Sequence, residues 1–445
     1  MDLVNGIAVA ALDKEAHRID SKEAAAAAQA RVRRLLASPL SDAAAVQIAL
    51  INNKGLQAAY NELGIADAVR LEASLPPSPT ISAGGISTPV ELDIEQQIVV
   101  DILALATLPA RTEIADDRFH QAQLHAAEET LRVAAEARHS YYRAVASRQL
   151  VAFLGQAETA AETAAKLADE LARTGAMNKL DQAREQSFSA EVSVQLAEAQ
   201  QKASSDREAL MRALGLSGDD DLAFKLPQTL RPLPKRPKNL PGIEAEALRR
   251  RVDLQIARLE VGALAKSYGL TKATRFINLL EVGGISRTQS ERAGLQGTGG
   301  GGAVEFQVPI FDFGEARLQQ AAESYNAAVN RLAEKAVTVR SEARNAYKVY
   351  RSAYDIAARY RDRVLPLRQT ITEETTLRYG AMQIDVFSLL AEARQRVNVN
   401  LAAIAAQRDF WLANVNLDTA RFGGGEVRNG APSATATGAA IAASE

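Results

Sequence analysis

The 445-residue sequence contains no cysteine, which removes both a disulfide framework and a thiolate metal site. That absence is compatible with either redox compartment. Its four histidines, His17, His120, His125 and His139, are too few and too scattered for a zinc enzyme. The nearest two, His120 and His125, fall on different sides of a helix rather than one turn apart. There is one tryptophan, and aromatic residues make up 5% of the chain. No stretch approaches about 18 consecutive apolar residues, so no transmembrane helix is expected. Neither charge sign is in marked excess, with 52 basic against 54 acidic residues, and a nucleic-acid stripe needs a concentrated basic field. Met1-Asp2-Leu3-Val4 lacks a basic leader and the apolar stretch 7–12 is too short for a secretory signal. Two readings remain: a cytoplasmic protein, or a mature form whose export signal has been removed.

Alanine dominates what is present. It combines the best helix propensity with a side chain small enough for close backbone approach, so most of the mass should be tightly packed helix. Across 312–379, small or apolar residues recur in alternating steps of four and three, from Leu318 through Tyr325, Val339, Ala346, Tyr350 and Ala357 to Leu367 and Ile371. A 3.5-residue repeat belongs to long helices packed nearly parallel. At 1.5 Å per residue the stretch would reach about 100 Å.

Residues 1–40 read as an N-terminal arm, helical or poorly ordered over 13–35. Ser41-Asp42 then caps a helix running to about Leu71, which the prolines at 76, 77 and 79 exclude from continuing. Strands are expected at 80–86 and 96–105, joined by a Gly/Ser/Pro linker. Helix is expected from about 112 to 171, a turn at 173–178, and a second helix from 179 to 214, ended by Gly215, Gly218 and the acidic run 219–221. Five prolines between 227 and 241 make a stiff linker, assigned to 215–243. The pattern then begins again over 244–422: Leu248 to Leu254 stands where Leu50 to Leu56 stood, followed by a helix, strands at 275–284 and 303–310 around a Gly/Ser/Thr-rich loop, the long rod, a turn and a helix from about 385 to 417. Both turns carry Arg-x-Gly-Ala-Met, as Arg173, Gly175, Met177 and as Arg378, Gly380, Met382. The order implies an internal duplication spanning 41–214 and 244–422. Residues 423–445 read as a flexible tail.

Val304, Phe306, Val308 and Ile310 alternate with Glu305, Gln307 and Pro309, and strand two alternates Ile98, Val100, Ile102 and Ala104 with Val99, Asp101 and Leu103. Each strand pair is entered and left by a long helix, which leaves none to cover its apolar face. A bilayer forbids open edges, and three chains of four strands would close a 12-stranded barrel. Pro309, Phe311, Asp312 and Gly314 mark the passage from strand to rod: the proline ends the ladder, the aspartate caps the helix and the aromatics suit an interfacial belt.

Together Ala49-Leu50, Leu56-Gln57-Ala58-Ala59, Ala247-Leu248, Val252-Asp253-Leu254, Val308 through Gly314, Leu377 through Met382 and Leu389-Leu390-Ala391 resemble the TolC-like outer-membrane factor family, over roughly 41–424. The subset nearest in pattern includes components associated with heavy-metal efflux. The resemblance implies a membrane-anchored α/β fold: a homotrimer whose 12-stranded transmembrane β-barrel continues as a long periplasmic α-helical barrel. It implies a passive exit duct of a tripartite efflux pump, with no catalytic or metal residues and no cofactor. The implied partners are outer-membrane lipid, a periplasmic membrane-fusion adaptor and an inner-membrane pump, with no nucleic acid. It places adaptor docking at the two Arg-x-Gly-Ala-Met tips and suggests Asp385 as a periplasmic gate, against the simpler role of helix cap.

Two alternatives within reach are a type I protein-secretion duct and a soluble, non-enzymatic coiled-coil scaffold with a small β head. The glycine runs 299–302 and 423–425 lack the Gly-Lys-Ser/Thr ending of a phosphate loop. The first reads as an outward-facing mobile loop. Ser286 and Ser290 have no histidine placed to activate them. An enzyme is therefore not expected.

Overall fold

A computed structural model describes residues 1–89, 91–216, 224–291, 294 and 296–425. The acidic run 219–221, Gly218 and the tail from 426 onward lie outside the described residues. The elements run α1 (Asp2–Leu12), α2 (Lys22–Leu36), α3 (Asp42–Asn52), α4 (Lys54–Ser74), β1 (Thr80–Ser87), β2 (Glu91–Asp101), α5 (Ile102–Ala106), α6 (Leu108–Arg173) and α7 (Lys179–Leu214). They continue as α8 (Ile243–Arg250), α9 (Val252–Ala273), β3 (Leu279–Glu291), β4 (Gln296–Gln307), α10 (Glu315–Arg359), a π-helical turn (Tyr360–Val364), α11 (Leu365–Gly380) and α12 (Val386–Phe422). Two compact units result, one of residues 1–58, 127–252 and 338–445, the other of 59–126 and 253–337.

The first unit is helical. Its core centres on Tyr142, Tyr350, Phe410 and Trp411, with Tyr142 stacked on Trp411 at 5.3 Å and 11°. Leu40, Ile48, Leu50, Leu210, Leu214 and Leu417 extend it, each essentially inaccessible. The expected helix from Ser41 to Leu71 breaks at Asn53, whose backbone is extended at ψ 114°. The Asn53 carboxamide accepts the Leu56 N–H at 3.1 Å, and so starts a new helix where apolar periodicity alone suggested continuity. Arg251 breaks the second half in the same way, with φ −64° and ψ 124° against −67° and 114° at Asn53. The N-terminal arm forms α1 and α2, with Val4, Ala8, Val32 and Leu36 buried.

Val339, Ala343, Ala346, Tyr350 and Ala357 of the 3.5-residue seam are buried. The seam then fails: Leu367 is 59% exposed and Ile371 44%. The cause is the π-helical turn, which inserts one extra residue and rotates the helix beyond it. Pro366, in the first turn of α11, has no N–H for the carbonyl four residues back, and the widened turn before it absorbs that defect. Arg368 and Thr372, one step beyond the seam positions, reach Glu392 of α12 instead, at 2.7 and 3.1 Å.

The second unit carries one antiparallel sheet of order β1-β2-β3-β4. The expected bounds of β2, β3 and β4 are all corrected. Residues 102–105 are helical, because the Asp101 carboxylate accepts the Ala104 N–H at 2.8 Å and caps α5, while β2 begins earlier, at Glu91. β3 begins at Leu279, leaving Phe276 and Asn278 before it, and β4 ends at Gln307, leaving Val308 and Ile310 in the turn that comes next. Gly299 through Gly302 are strand rather than loop, paired with Arg287, Ser286, Ile285 and Gly284. Low intrinsic strand propensity yields there to a partner strand that supplies both the ladder and the side chains.

Candidate functional site

Partners in an antiparallel ladder project to the same side of the sheet, so the register sorts every residue by face. One face takes Ile81, Ile98, Gly284 and Gly302 in one row, Val100, Val282 and Val304 in a second, and Leu280 with Phe306 in a third. The other takes Asp93, Glu95, Asp101, Glu281, Arg287 and Glu305. Glu91 belongs to it as well, by alternation from Asp93. No charged residue of the described strands falls on the first face. Its apolar groups are open, with Ile81 72%, Val304 64% and Phe306 66% exposed. On the charged face Arg287 bonds Asp93, its Nε lying 2.9 and 2.8 Å from the two carboxylate oxygens.

The passage from β4 to α10 is built on a tight turn. The Asp312 carboxylate accepts the Gly314 N–H at 3.0 Å and the Ala316 N–H at 3.3 Å. Phe313 and Gly314 both have positive φ, 47° and 74°. A Cβ on Gly314 would sit 2.2 Å from the Arg275 carbonyl oxygen, so no other residue fits. The Pro309 carbonyl accepts the Phe313 N–H at 2.7 Å. Phe311 is 98% exposed at this turn, beside exposed Ile310 and Phe313.

Both helical tips lie in the first unit and share two closing hydrogen bonds. At the first, Gly175 N–H reaches the Ala172 carbonyl and Ala176 N–H the Leu171 carbonyl. At the second, Met382 N–H reaches Tyr379 and Gln383 N–H reaches Arg378. Each is a reversal closed by a left-handed residue, Gly175 at φ 77° and Met382 at φ 57°. An Asx cap comes three residues later in each: Asn178 accepts the Asp181 N–H and Asp385 the Ser388 N–H, both at 2.9 Å. The geometric equivalents are therefore Gly175 and Met382, not Gly175 and Gly380. The shared Arg-x-Gly-Ala-Met letters are offset by two residues from the shared turn. Gly380 is the last residue of α11 and needs no special backbone, so the repeated glycine is left-handed in the first turn alone. Met177 is buried where Met382 is 93% exposed. Arg173 pairs with Glu170 at 2.8 Å and Arg378 with Glu374 at 4.0 Å, both in solvent.

Near these turns the two hairpins are tied. Arg394 of α12 donates to Glu185 of α7 at 2.5 Å and to the Arg184 carbonyl at 3.1 Å, while its guanidinium lies 5.0 Å from the Phe188 ring centre. Within the first hairpin, Asp169 accepts from Gln182 and Gln186 at 2.9 and 2.7 Å, which holds its carboxyl below the usual range. The Ser388 side chain and N–H do the same for Asp385. Sequence reasoning missed Glu185, Arg394, Arg368 and Glu392, because charged residues at helical spacing ordinarily mark a solvated face.

No protein-family model and no curated protein matches the sequence. Solved structures do match. CusC, described for its folding and transmembrane channel formation, aligns over 88% of this chain and 94% of its own at 16% identity and a TM-score of 0.72. The outer-membrane channel OprN aligns over 94% and 95% at 19% identity and a TM-score of 0.71. The CmeC outer-membrane channel of Campylobacter jejuni aligns over 95% and 92% at 16% identity and a TM-score of 0.65. The two-faced sheet and paired helical hairpins thus form, over nearly the whole chain, the fold that these outer-membrane channels share.

Proposed function

We propose that the protein is a passive outer-membrane exit duct of a tripartite efflux pump, non-enzymatic and trimeric. The observation that carries this reading is the sheet: every charged residue of its described strands lies on one face, and the other exposes isoleucine, valine and phenylalanine. In water such a face would be covered. In a bilayer it is the outer wall, provided the edges at β1 and β4 close against neighbouring copies. Three copies supply twelve strands, a size normal for such barrels. The charged face then lines the water-filled interior, and Ile310, Phe311 and Phe313 stand at the lipid boundary. Transport is driven by an inner-membrane pump through a periplasmic adaptor, and nucleic acid has no part in it.

The reading extends to the tips and to the chain's organisation. The turns at 173–177 and 378–382 dock the adaptor, and Asp385 lies where a ring of three carboxylates narrows the periplasmic mouth. Crowding of like charges there would raise a carboxyl that Ser388 lowers within one chain. Residues 41–214 and 244–422 act as two duplicated halves joined by the 215–243 linker.

Phe306→Arg and Gln307→Arg test the central claim. The first puts a cation into lipid, at a cost that falls from about 2–4 kcal/mol at the midplane to about 0–1 kcal/mol at the boundary, and the second puts it into water. The expected result is loss of detergent-extracted trimer for Phe306→Arg alone. Equal loss for both, or a wild-type chain that is a monodisperse monomer without detergent, overturns the reading.

A further inference from the structure

The first unit holds a cavity of about 480 Å³ to which the exit-duct reading assigns no ligand. One wall is the proline-rich segment 231–238, and the floor is the aromatic core at Tyr350, Phe410 and Trp411. The segment is clamped mainly through its backbone. The Arg231 carbonyl accepts from Trp411 Nε1 and Gln407 Nε2, both at 2.9 Å. The Tyr354 hydroxyl donates to the carbonyls of Pro234 at 3.1 Å and Lys235 at 3.0 Å, and the Lys238 N–H donates to the Tyr350 hydroxyl at 2.9 Å. Prolines fix the intervening dihedrals, and of the wall's cationic side chains only Lys238 is tied to a carboxylate, that of Asp418.

Those side chains are unbalanced. Five cations, Arg138, Arg231, Lys235, Arg236 and Lys238, line the cavity against two carboxylates, Asp42 and Asp418. Asp418 is already shared among Lys238 at 3.1 Å, Arg421 at 3.5 Å and Arg138 at 3.9 Å. Asp42 accepts the Tyr142 hydroxyl at 3.1 Å. Among the described residues Arg231, Lys235 and Arg236 have no carboxylate partner, and the buried Arg138 Nε has no hydrogen-bond partner at all. A concave, partly apolar space of this volume is the size of a small-molecule site. Its cations set the sign of the ligand, and its prolines and aromatic floor set the body.

We propose that this cavity binds a small organic anion: a carboxylate, phosphate or sulfonate carried on a compact apolar or aromatic body. Arg231, Lys235 and Arg236 hold the charged group, and Pro232, Leu233 and Pro234 pack against the apolar part.

Trp411 is the chain's one tryptophan and lines the site, so it reports occupancy. The full-length protein, purified in a non-ionic detergent, is titrated with phenylphosphonate while Trp411 emission and, separately, calorimetric heat are followed. A saturable response is expected by both readouts. Benzyl alcohol, which has a similar body without the charge, should bind at least tenfold more weakly. The combined R231Q, K235Q and R236Q variant should weaken phenylphosphonate binding at least tenfold with its circular dichroism unchanged. K22Q with R34Q, on α2 and away from the cavity lining, should leave it unaltered. A non-saturating wild-type response, as would result if another copy of the chain fills the cavity, overturns the proposal. Equal binding of benzyl alcohol, or a triple variant that binds like wild type, does the same.

Discussion

Three single substitutions at the helical tips separate the turn read from geometry from the turn read from the repeated motif. Gly175 sits at φ 77° with nothing within 4 Å of where a Cβ would stand, so Gly175→Ala carries no steric clash. Its cost is the left-handed backbone alone, about 1 kcal/mol. Gly380 also has open space around its Cβ position, but its backbone is helical. Gly380→Ala should therefore stabilise its hairpin by about 0.5–1 kcal/mol. Met382 is 93% exposed, so Met382→Gly removes almost no packing. It relieves about 1–2 kcal/mol of left-handed strain and adds about 0.4–1 kcal/mol of unfolded-chain entropy, a net gain of about 0.5–1 kcal/mol. Amide hydrogen exchange near each turn of the intact protein reads these local openings directly. One kcal/mol corresponds to about a fivefold change in protection. Gly175→Ala should speed exchange near 170–182, whereas Gly380→Ala and Met382→Gly should slow it near 375–390. Faster exchange in Gly380→Ala, matching that in Gly175→Ala, would refute the two-residue offset.

Gly314→Ala should cost at least about 2 kcal/mol, since its Cβ would meet the Arg275 carbonyl at 2.2 Å, and the yield of folded protein in detergent should fall accordingly. Glu392→Gln strips the charge partner from Arg368 where the two side chains are only 10% and 20% exposed, and should destabilise the α11–α12 hairpin by about 2 kcal/mol in denaturant titration. Arg394→Ala should free Glu185 and raise the basal single-trimer conductance if the tie between hairpins holds the mouth narrow; unchanged conductance removes it from the gate. The Asp385 carboxyl is lowered in the folded chain, so its capping contribution is complete above the ordinary aspartate range near pH 4 and is lost as pH falls through the lowered value. Exchange at 386–390 followed from pH 6 to 3 should show that loss in wild type and not in Asp385→Asn.

Helix positions were legible because their signals are local and redundant. Lys179–Leu214 has its Asn178 cap, its Gly215 stop and alanine between them, and its bounds coincide with the expected ones. Strand existence was legible for the same reason, but strand bounds were not. Alternation cannot say where a ladder ends when the flanking residues are also apolar, as at 102–105 and 308–310. Nor can it see strand in a glycine run, where pairing comes entirely from the opposite strand. The seam shows a different limit. Its spacing continues through Leu367 and Ile371, yet the π-helical turn upstream rotates those residues outward. A proline inside a long apolar period is the available warning, and Pro366 supplies it.

The proposed duplication explains why the tip residues were the hardest to place. At the helix break, sequence and backbone agree: Asn53 and Arg251 keep one conformation at one alignment, because Ala49 and Ala247 before them and Leu56 and Leu254 after them are fully buried at matching positions. At the tips no such burial pins the alignment, since most of the turn faces solvent. The hydrogen-bond pattern of the reversal survives with Met382 in the place Gly175 holds, and the motif slides two residues along it. A surface turn constrains its backbone more than its letters, whereas a core constrains both. Side chains presented by the two tips therefore differ even though the loops are the same: buried Met177 answers to half-buried Ile384, and the left-handed Met382, almost wholly exposed, answers to a glycine. A partner that docks on both tips must read two different surfaces on one repeated frame. Exchanging residues 173–177 with 380–384, which matches the geometry, should preserve both turns. Exchanging 173–177 with 378–382, which matches the letters, should disturb them. Adaptor cross-linking and tip hydrogen exchange measured on the two chimaeras decide the matter, and equal behaviour of the two would show that the motif, not the turn, is what the halves share.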